Sequence, residues 1–223
     1  FFDKSINPKF NYNGNINFTP FFLNLNGDTE HIDLSKLFSS DSILTQFFKT
    51  EILNNKNLNI VSVINSKKIL PYDNMTNLVA KIKVEEGLID IDNTKFSWAD
   101  YVDFEISDSL LYINDNNLIL DGKFILNINN FNEIYKFLQT PRNYRKQLKK
   151  IEFNFNYNFD QEIVNFKDIK INDETNKKVN KVLNQFILKK SKIENRIHFK
   201  NLMNEAIKYY AGKIIFLGST ILL

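Results

Sequence analysis

Ile151-Glu152-Phe153-Asn154-Phe155-Asn156-Tyr157-Asn158-Phe159 carries an aliphatic or aromatic residue at every odd position and a polar one at every even position. A period of two is strand geometry, because successive side chains of an extended backbone point to opposite faces. The spacing predicts a half-buried strand with one wet and one apolar face.

Working outward, Phe10, Tyr12, Ile16 and Phe18 share one face of an early strand in which Gly14 is a bend or bulge, and residues 21–26 resume after Pro20. Further strands are expected at 58–65, 77–85, 88–92, 101–108, 110–114, 117–129 and 162–172. Asp121-Gly122 is a hairpin dipeptide, yet residues 114–117 already supply a turn. A second turn would leave only 118–120 between them, so one long strand bent at Gly122 is expected. Nine or ten strands in 223 residues make a mainly β protein.

Helices punctuate this pattern without alternating with each strand, which argues against a doubly wound parallel fold. Ile43, Leu44, Phe47, Phe48 and Ile52 sit at helical spacing within 41–53. Asn130, with Glu133 three residues on, resembles a capping box for a helix to about 138. Thr140-Pro141 looks like an N-cap and first helical position. Val179, Val182, Leu183, Phe186 and Ile187 mark one late amphipathic helix; Ile197, Leu202, Met203, Ala206, Ile207 and Tyr210 mark another, ended by Gly212. The expected architecture is mainly β with peripheral helices: a long, curved, largely antiparallel open sheet forming a groove, closed by C-terminal helices. Residues 1–172 form its body, 173–212 the helices, and 213–223 an apolar tail too short to span a bilayer.

Hydrophobic content of 43%, with 21 Phe, is too high for disorder, while the polar interruptions rule out a bundle of membrane helices. The net charge of +3, from 29 basic and 26 acidic residues, gives no general basis for nucleic-acid binding. Absence of Cys excludes disulfides, Cys-ligated zinc and thiol catalysis but leaves the compartment open. The chain, starting at Phe1 with no signal-like segment, reads as a piece of something longer.

Candidates for chemistry are few. His31 falls in a polar turn and His198 on a late helix, neither with metal-ligand spacing, so no metal or cofactor is expected. Asp90 with Asp92, and Asp103 with Glu105, are carboxylates two apart, each pair on one strand face, as a hydrolase or Ca²⁺ site would need. Alternation by itself also puts them on the wet face opposite Ile89, Ile91, Val102 and Phe104, so no enzyme is expected. Arg142, Arg145, Lys146 and Lys149 would form a basic stripe on a helix, suited to anionic lipid headgroups or simply to solvent.

Residues 34–38 (LSKLF), 84–91 (VEEGLIDI), 118–123 (LILDGK), 135–141 (YKFLQTP) and 151–160, in that order with helices after them, make residues 10–212 similar to the C-terminal part of AsmA-family proteins of diderm bacteria, most like those of alphaproteobacteria. The resemblance implies a periplasmic location, tethering to the inner membrane through a segment absent from this chain, and a part in carrying phospholipid toward the outer membrane. Its partners would be phospholipid acyl chains, the membrane surface and other envelope proteins. The alternative is a structural or assembly factor for outer-membrane proteins, with a filled core and no lipid.

Elementary physics points the same way. A single sheet with aromatic strands must cover its apolar face with helices, a second layer or a ligand, and the helices here cover only part. The expected groove lining is Ile82, Val84, Val102, Phe104, Ile106, Leu120, Phe124, Leu126, Phe153, Phe155 and Tyr157. Each buried methylene of an acyl chain would contribute about 0.8 kcal/mol there.

Overall fold

A computed structural model of the chain describes residues 10–183, 187–189 and 193–211. The expected tail at 213–223, Gly212 and Phe186 lie outside them, as do the side chains of Val182, Leu183, Ile187, Ile197, His198 and Leu202.

The described strands form one sheet. In chain order they are β1 (Asn11–Phe18), β2 (Phe21–Asp33), β3 (Leu58–Leu70), β4 (Tyr72–Glu85), β5 (Leu88–Asp90), β6 (Thr94–Trp98), β7 (Val102–Asn114), β8 (Asn117–Ile128), β9 (Lys150–Asn158), β10 (Ile163–Ile171), β11 (Glu174–Thr175) and β12 (Ile187–Lys189). Their spatial order follows the sequence from β1 to β11, with β6 beside β5 between β4 and β7, and β12 on β10. Every pairing is antiparallel except β2 with β3. The mainly β, largely antiparallel sheet with peripheral helices expected from the sequence is therefore present.

Local chemistry explains the short connections. Asp115 and Asn116 (φ 46 and 62), Glu86 and Gly87 (φ 53 and 81), and Asn172 and Asp173 (φ 50 and 64) hold left-handed pairs between strands. That is the two-residue turn whose twist matches a hairpin, and Asn, Asp and Gly tolerate it best. Left-handed residues also mark three breaks in register, at Asn77 in β4, Asp108 in β7 and Asp168 in β10. Such bulges bend a strand and sharpen its twist. β8 runs unbroken through Asp121-Gly122, as expected, and the irregularity lies opposite, on β7.

Register puts the apolar positions of all the long strands on one side. Cross-strand neighbours run Leu23, Ile60, Val84, Ile89, Leu111, Leu120, Tyr157, Val164. The other side is largely polar, with Val61, Val63, Tyr112 and buried Ile119 among its exceptions, and carries ion pairs such as Lys95–Glu105 and Lys150–Glu152. Solvent screens pairs of this kind, so they specify the wet face more than they stabilise it.

Helices lie over both ends of the apolar face. Between β2 and β3 the chain returns along the sheet through α1 (Leu34–Leu37) and α2 (Ile43–Lys49), capped by Asp33 and Ser42. Phe48 and the following Leu53 pack on Val84, Ile89, Leu111, Leu118, Leu120 and Phe159. At the opposite end α3 (Phe131–Leu138), α4 (Lys177–Leu183) and α5 (Ile193–Tyr210) bring Tyr135, Leu138, Val179, Ala206 and Ile207 onto Val102, Ile151, Ile169 and Ile171. Burying each large side chain contributes about 1.5–3 kcal/mol.

Several expectations need correction. His31 sits within β2, opposite Lys68, and not in a turn. β6 was unforeseen, and the expected strands at 101–108 and 110–114 are one bulged strand. Asn130 precedes α3 without a side-chain cap bond, and Glu133 pairs with Lys136 instead of reaching back. No helix follows Thr140: Pro141 has ψ 144, a single 3₁₀ turn covers Arg142–Tyr144, and Arg145 is extended. The physical reason is reach, since Leu148, 1% exposed, must enter the core just before β9 begins at Lys150.

Candidate functional site

All eleven residues expected to line a groove fall on the apolar side of the sheet, but not in one environment. Val84 and Val102 (1% exposed each) and Leu120 (8%) belong to the two cores beneath the helices, and Ile106 is buried as well. Those four are covered by protein and do not line an open surface. Ile82, Phe104, Phe124, Leu126, Phe153, Phe155 and Tyr157 are half-buried.

These seven form a band where the two cores meet: Phe104, Leu126 and Phe153 pack against the core under α3–α5, Ile82, Phe155 and Tyr157 against the core under α2, and Phe124 touches Phe153 and Phe155 between them. Across it runs a chain of ring contacts from one strand to the next. Phe96 of β6 stacks on Phe104 of β7 at 4.7 Å; Phe104 meets Phe124 of β8 at 5.6 Å; Phe124 meets Phe153 of β9 at 5.5 Å; Phe153 meets Phe166 of β10 edge-on at 4.9 Å. Such pairs contribute about 0.5–1.5 kcal/mol each beyond area burial. The band therefore runs across the strands, perpendicular to the direction in which each strand alternates. On the β2–β4 side the same face carries half-buried Leu23, Leu25, Ile64 and Ala80; Ile64 pairs with Ala80 and Leu23 with Ile60, while Ser62 stands between Leu25 and Ile82.

Phe96 and Phe166 were missed as lining. Thr94, Phe96 and Trp98 alternate with Lys95 and Ser97, a readable signal in a segment only five residues long. Phe166 shares a face with Val164 in a strand that was foreseen.

The basic residues do not form a stripe, because the helix that would align them is absent. Arg145 Nε donates to the Thr140 carbonyl at 2.8 Å and its guanidinium lies 5.9 Å from the Tyr135 ring centre, an anchoring role. Lys146 lies over the ring of Tyr210 at 5.5 Å, and its carbonyl accepts from the Tyr135 hydroxyl at 2.6 Å. Arg142 and Lys149 are exposed. Lys146, Lys149 and Lys150 do rim a shallow recess of about 550 Å³, shared with Asn172, Asp173 and Tyr210.

The four strand carboxylates are engaged separately. Asp92 accepts from the Ser109 backbone N–H and hydroxyl at 2.7 and 2.6 Å, and Asp90 accepts from the Asp92 N–H. Asp103 accepts from Ser97 and Asn129, while Glu105 pairs with Lys95. Among the described residues no group of three His, Asp or Glu side chains stands close enough to hold a metal ion.

One group of the band and one beside it have displaced titrations. Burial, reinforced by Glu162, pushes the Tyr157 phenol up to about 12. Asp160, just past β9, is partly desolvated, which works to raise its pKa. The Lys49 ammonium at 2.7 Å and the Leu118 N–H at 2.8 Å outweigh that and hold it below the ordinary carboxylate value. This pair pins α2, and with it one border of the band, to the β8–β9 end of the sheet.

No helix among the described residues is long and apolar enough to cross a membrane. Compared with protein-family models, curated proteins and solved structures, the chain matches none.

Proposed function

We propose that this chain is a non-catalytic, lipid-binding segment of an AsmA-like envelope protein, acting in the periplasm in phospholipid transfer between the inner and outer membranes. The observation that carries the reading is the transverse band of half-buried aromatic rings where the two cores meet. An acyl chain laid along it meets aromatic surface from β10 to β6 and a mixed surface of aliphatic residues and Ser62 from β4 toward β2, and crosses no charged side chain of the wet face. Full burial of ten methylenes would be worth on the order of 8 kcal/mol, and a surface open on one side gives only part of that. Binding is then loose and selects chain over headgroup, as suits transfer. The bulges in β4, β7 and β10 supply the bending that would turn the face into a trough.

A structural or assembly role with a filled core is the second reading, favoured by the burial of Val84, Val102, Ile106 and Leu120. The two differ in what the protein carries. A photoreactive residue at 124 or 155 should crosslink to phospholipid in cells, with adducts identified by mass spectrometry. Absence of lipid adducts at both positions, with adducts to protein only, would favour the assembly role.

A further inference from the structure

The end of the sheet opposite α2 is strongly basic. Residues 136–150 hold six cations, Lys136, Arg142, Arg145, Lys146, Lys149 and Lys150, and no acid. Residues 200–210 of α5 add Lys200 and Lys208 against Glu205. They lie beside that segment, since the Asn204 side-chain amide donates to the Leu138 carbonyl and accepts from the Thr140 hydroxyl. Among the described residues, carboxylates pair with only two of these eight cations, Glu133 with Lys136 and Glu152 with Lys150. Three others lie over aromatic rings: Lys200 over Phe137 at 4.4 Å, Lys146 over Tyr210 at 5.5 Å and Lys208 over Tyr144 at 5.7 Å. Arg142, Lys149 and Lys208 are exposed, and so is the Phe137 ring, at 45%. The turns at the α2 end instead carry Glu85, Glu86, Asp115 and Asp160.

We propose that the basic end is a docking surface for an anionic phospholipid bilayer. Cations set beside aromatic rings suit the headgroup layer, where ammonium and guanidinium groups reach phosphate and the rings rest between water and acyl chains. The charge contrast orients the molecule, because an anionic surface attracts this end and repels the turns beside α2. Single-stranded nucleic acid fits less well, since cations already occupy the ring faces on which bases would stack. Phe137 also meets Trp98 edge-on at 5.0 Å, and Trp98 shares a strand face with Phe96, the ring that ends the aromatic band. Docking here sets the bilayer where ring surface leads from the exterior to the band. The inference goes beyond the lipid reading and stands without it, because it concerns the bilayer surface and not the acyl chain.

Cosedimentation of the full chain with vesicles tests it, comparing phosphatidylcholine alone with an equal mixture of phosphatidylcholine and phosphatidylglycerol. Binding is expected to the mixture only, and should weaken as salt rises. Arg142→Glu combined with Lys208→Glu, both at exposed positions, should weaken binding roughly tenfold or more. Lys36→Glu combined with Lys56→Glu makes the same change in net charge beside α2 and should leave binding nearly intact. Circular dichroism establishes that both stay folded, and Arg142→Gln with Lys208→Gln gives a milder variant with a smaller loss. No binding to the mixture, equal binding to both vesicles, equal losses at the two ends, or tighter binding to polyuridylate than to the mixture would each overturn the proposal. Lipid adducts at positions 124 and 155 without vesicle binding would overturn docking alone. Vesicle binding without those adducts would support docking and count against the lipid reading.

Discussion

Gly122 lies beneath the ring of Phe155. The two are cross-strand partners in β8 and β9, and a Cβ placed on Gly122 would stand 3.0 Å from Cε1 and 3.1 Å from Cζ of that ring. The missing side chain thus seats the phenyl group in the band, where it also meets Phe124 edge-on at 6.1 Å. Gly122→Val should displace the ring and cost about 1–3 kcal/mol by overpacking. Chemical denaturation measures this, and in a Phe155→Ala background the same substitution should cost clearly less, since the clashing ring is gone.

A charge placed along the apolar face should separate band from core. Phe155→Glu can keep its carboxylate hydrated at the open side, so folding should survive with a loss of about 1–2 kcal/mol while lipid crosslinking from position 124 disappears. Val102→Glu, at 1% exposure beneath the C-terminal helices, should cost more than about 4 kcal/mol and unfold the chain. Melting curves of the two variants compared side by side test the distinction, and equal losses would count against an open band.

Acid should loosen α2 first. The folded-state pKa of Asp160 lies below its unfolded value of 3.8, so the stability it contributes is fully present above that value and is lost as pH falls through the folded pKa. Asp160→Asn should remove about 1 kcal/mol at neutral pH and flatten this part of the acid limb. Urea midpoints measured from neutral pH down to about 3 should therefore converge for the wild type and the variant.

Alkali acts through the tyrosines. Burial pushes both Tyr135 and Tyr157 up to about 12, so stability linked to their neutral forms is complete below pH 10 and drains away as pH climbs toward 12. Burial and the Asp121 carboxylate also hold Tyr112 above its ordinary value, so ultraviolet titration should show three of the nine tyrosines ionising late, and Tyr157→Phe should remove one of them. Tyr135→Phe should also cost about 1–2 kcal/mol at neutral pH, because the Lys146 carbonyl loses its buried donor.

Alternation made the sheet legible. Residues 151–159 and 117–129 read correctly as strands, and the turn at 114–117 fell where Asp115 and Asn116 tolerate positive φ. The same parity put all eleven lining candidates on one side. What parity does not encode is which of them a helix covers. Val84 and Leu120 differ from Ile82 and Phe124 only in lying where α2 lands, and that landing is set by contacts distant in sequence, such as Lys49 with Asp160. Tertiary demand also overrode local propensity at 141–149, where an N-cap and Pro signal gave way to the need to bring Leu148 inward. β6 escaped notice because five residues bounded by left-handed Asn93 and Ala99 offer too short a run to establish a period.

The parallel pairing of β2 with β3 bears on the order of assembly. Antiparallel neighbours such as β3–β4 and β7–β8 join through short connections and close cheaply. β2 cannot zip onto its neighbour this way, because a parallel partner arrives only after the chain has returned the full length of the sheet through α1 and α2. During synthesis the β1–β2 hairpin precedes its parallel partner, so the inner edge of β2 stays unpaired until β3 exists. The hairpin's apolar side chains stay exposed in that interval, and it docks late, as a separable ribbon on a platform built from later residues.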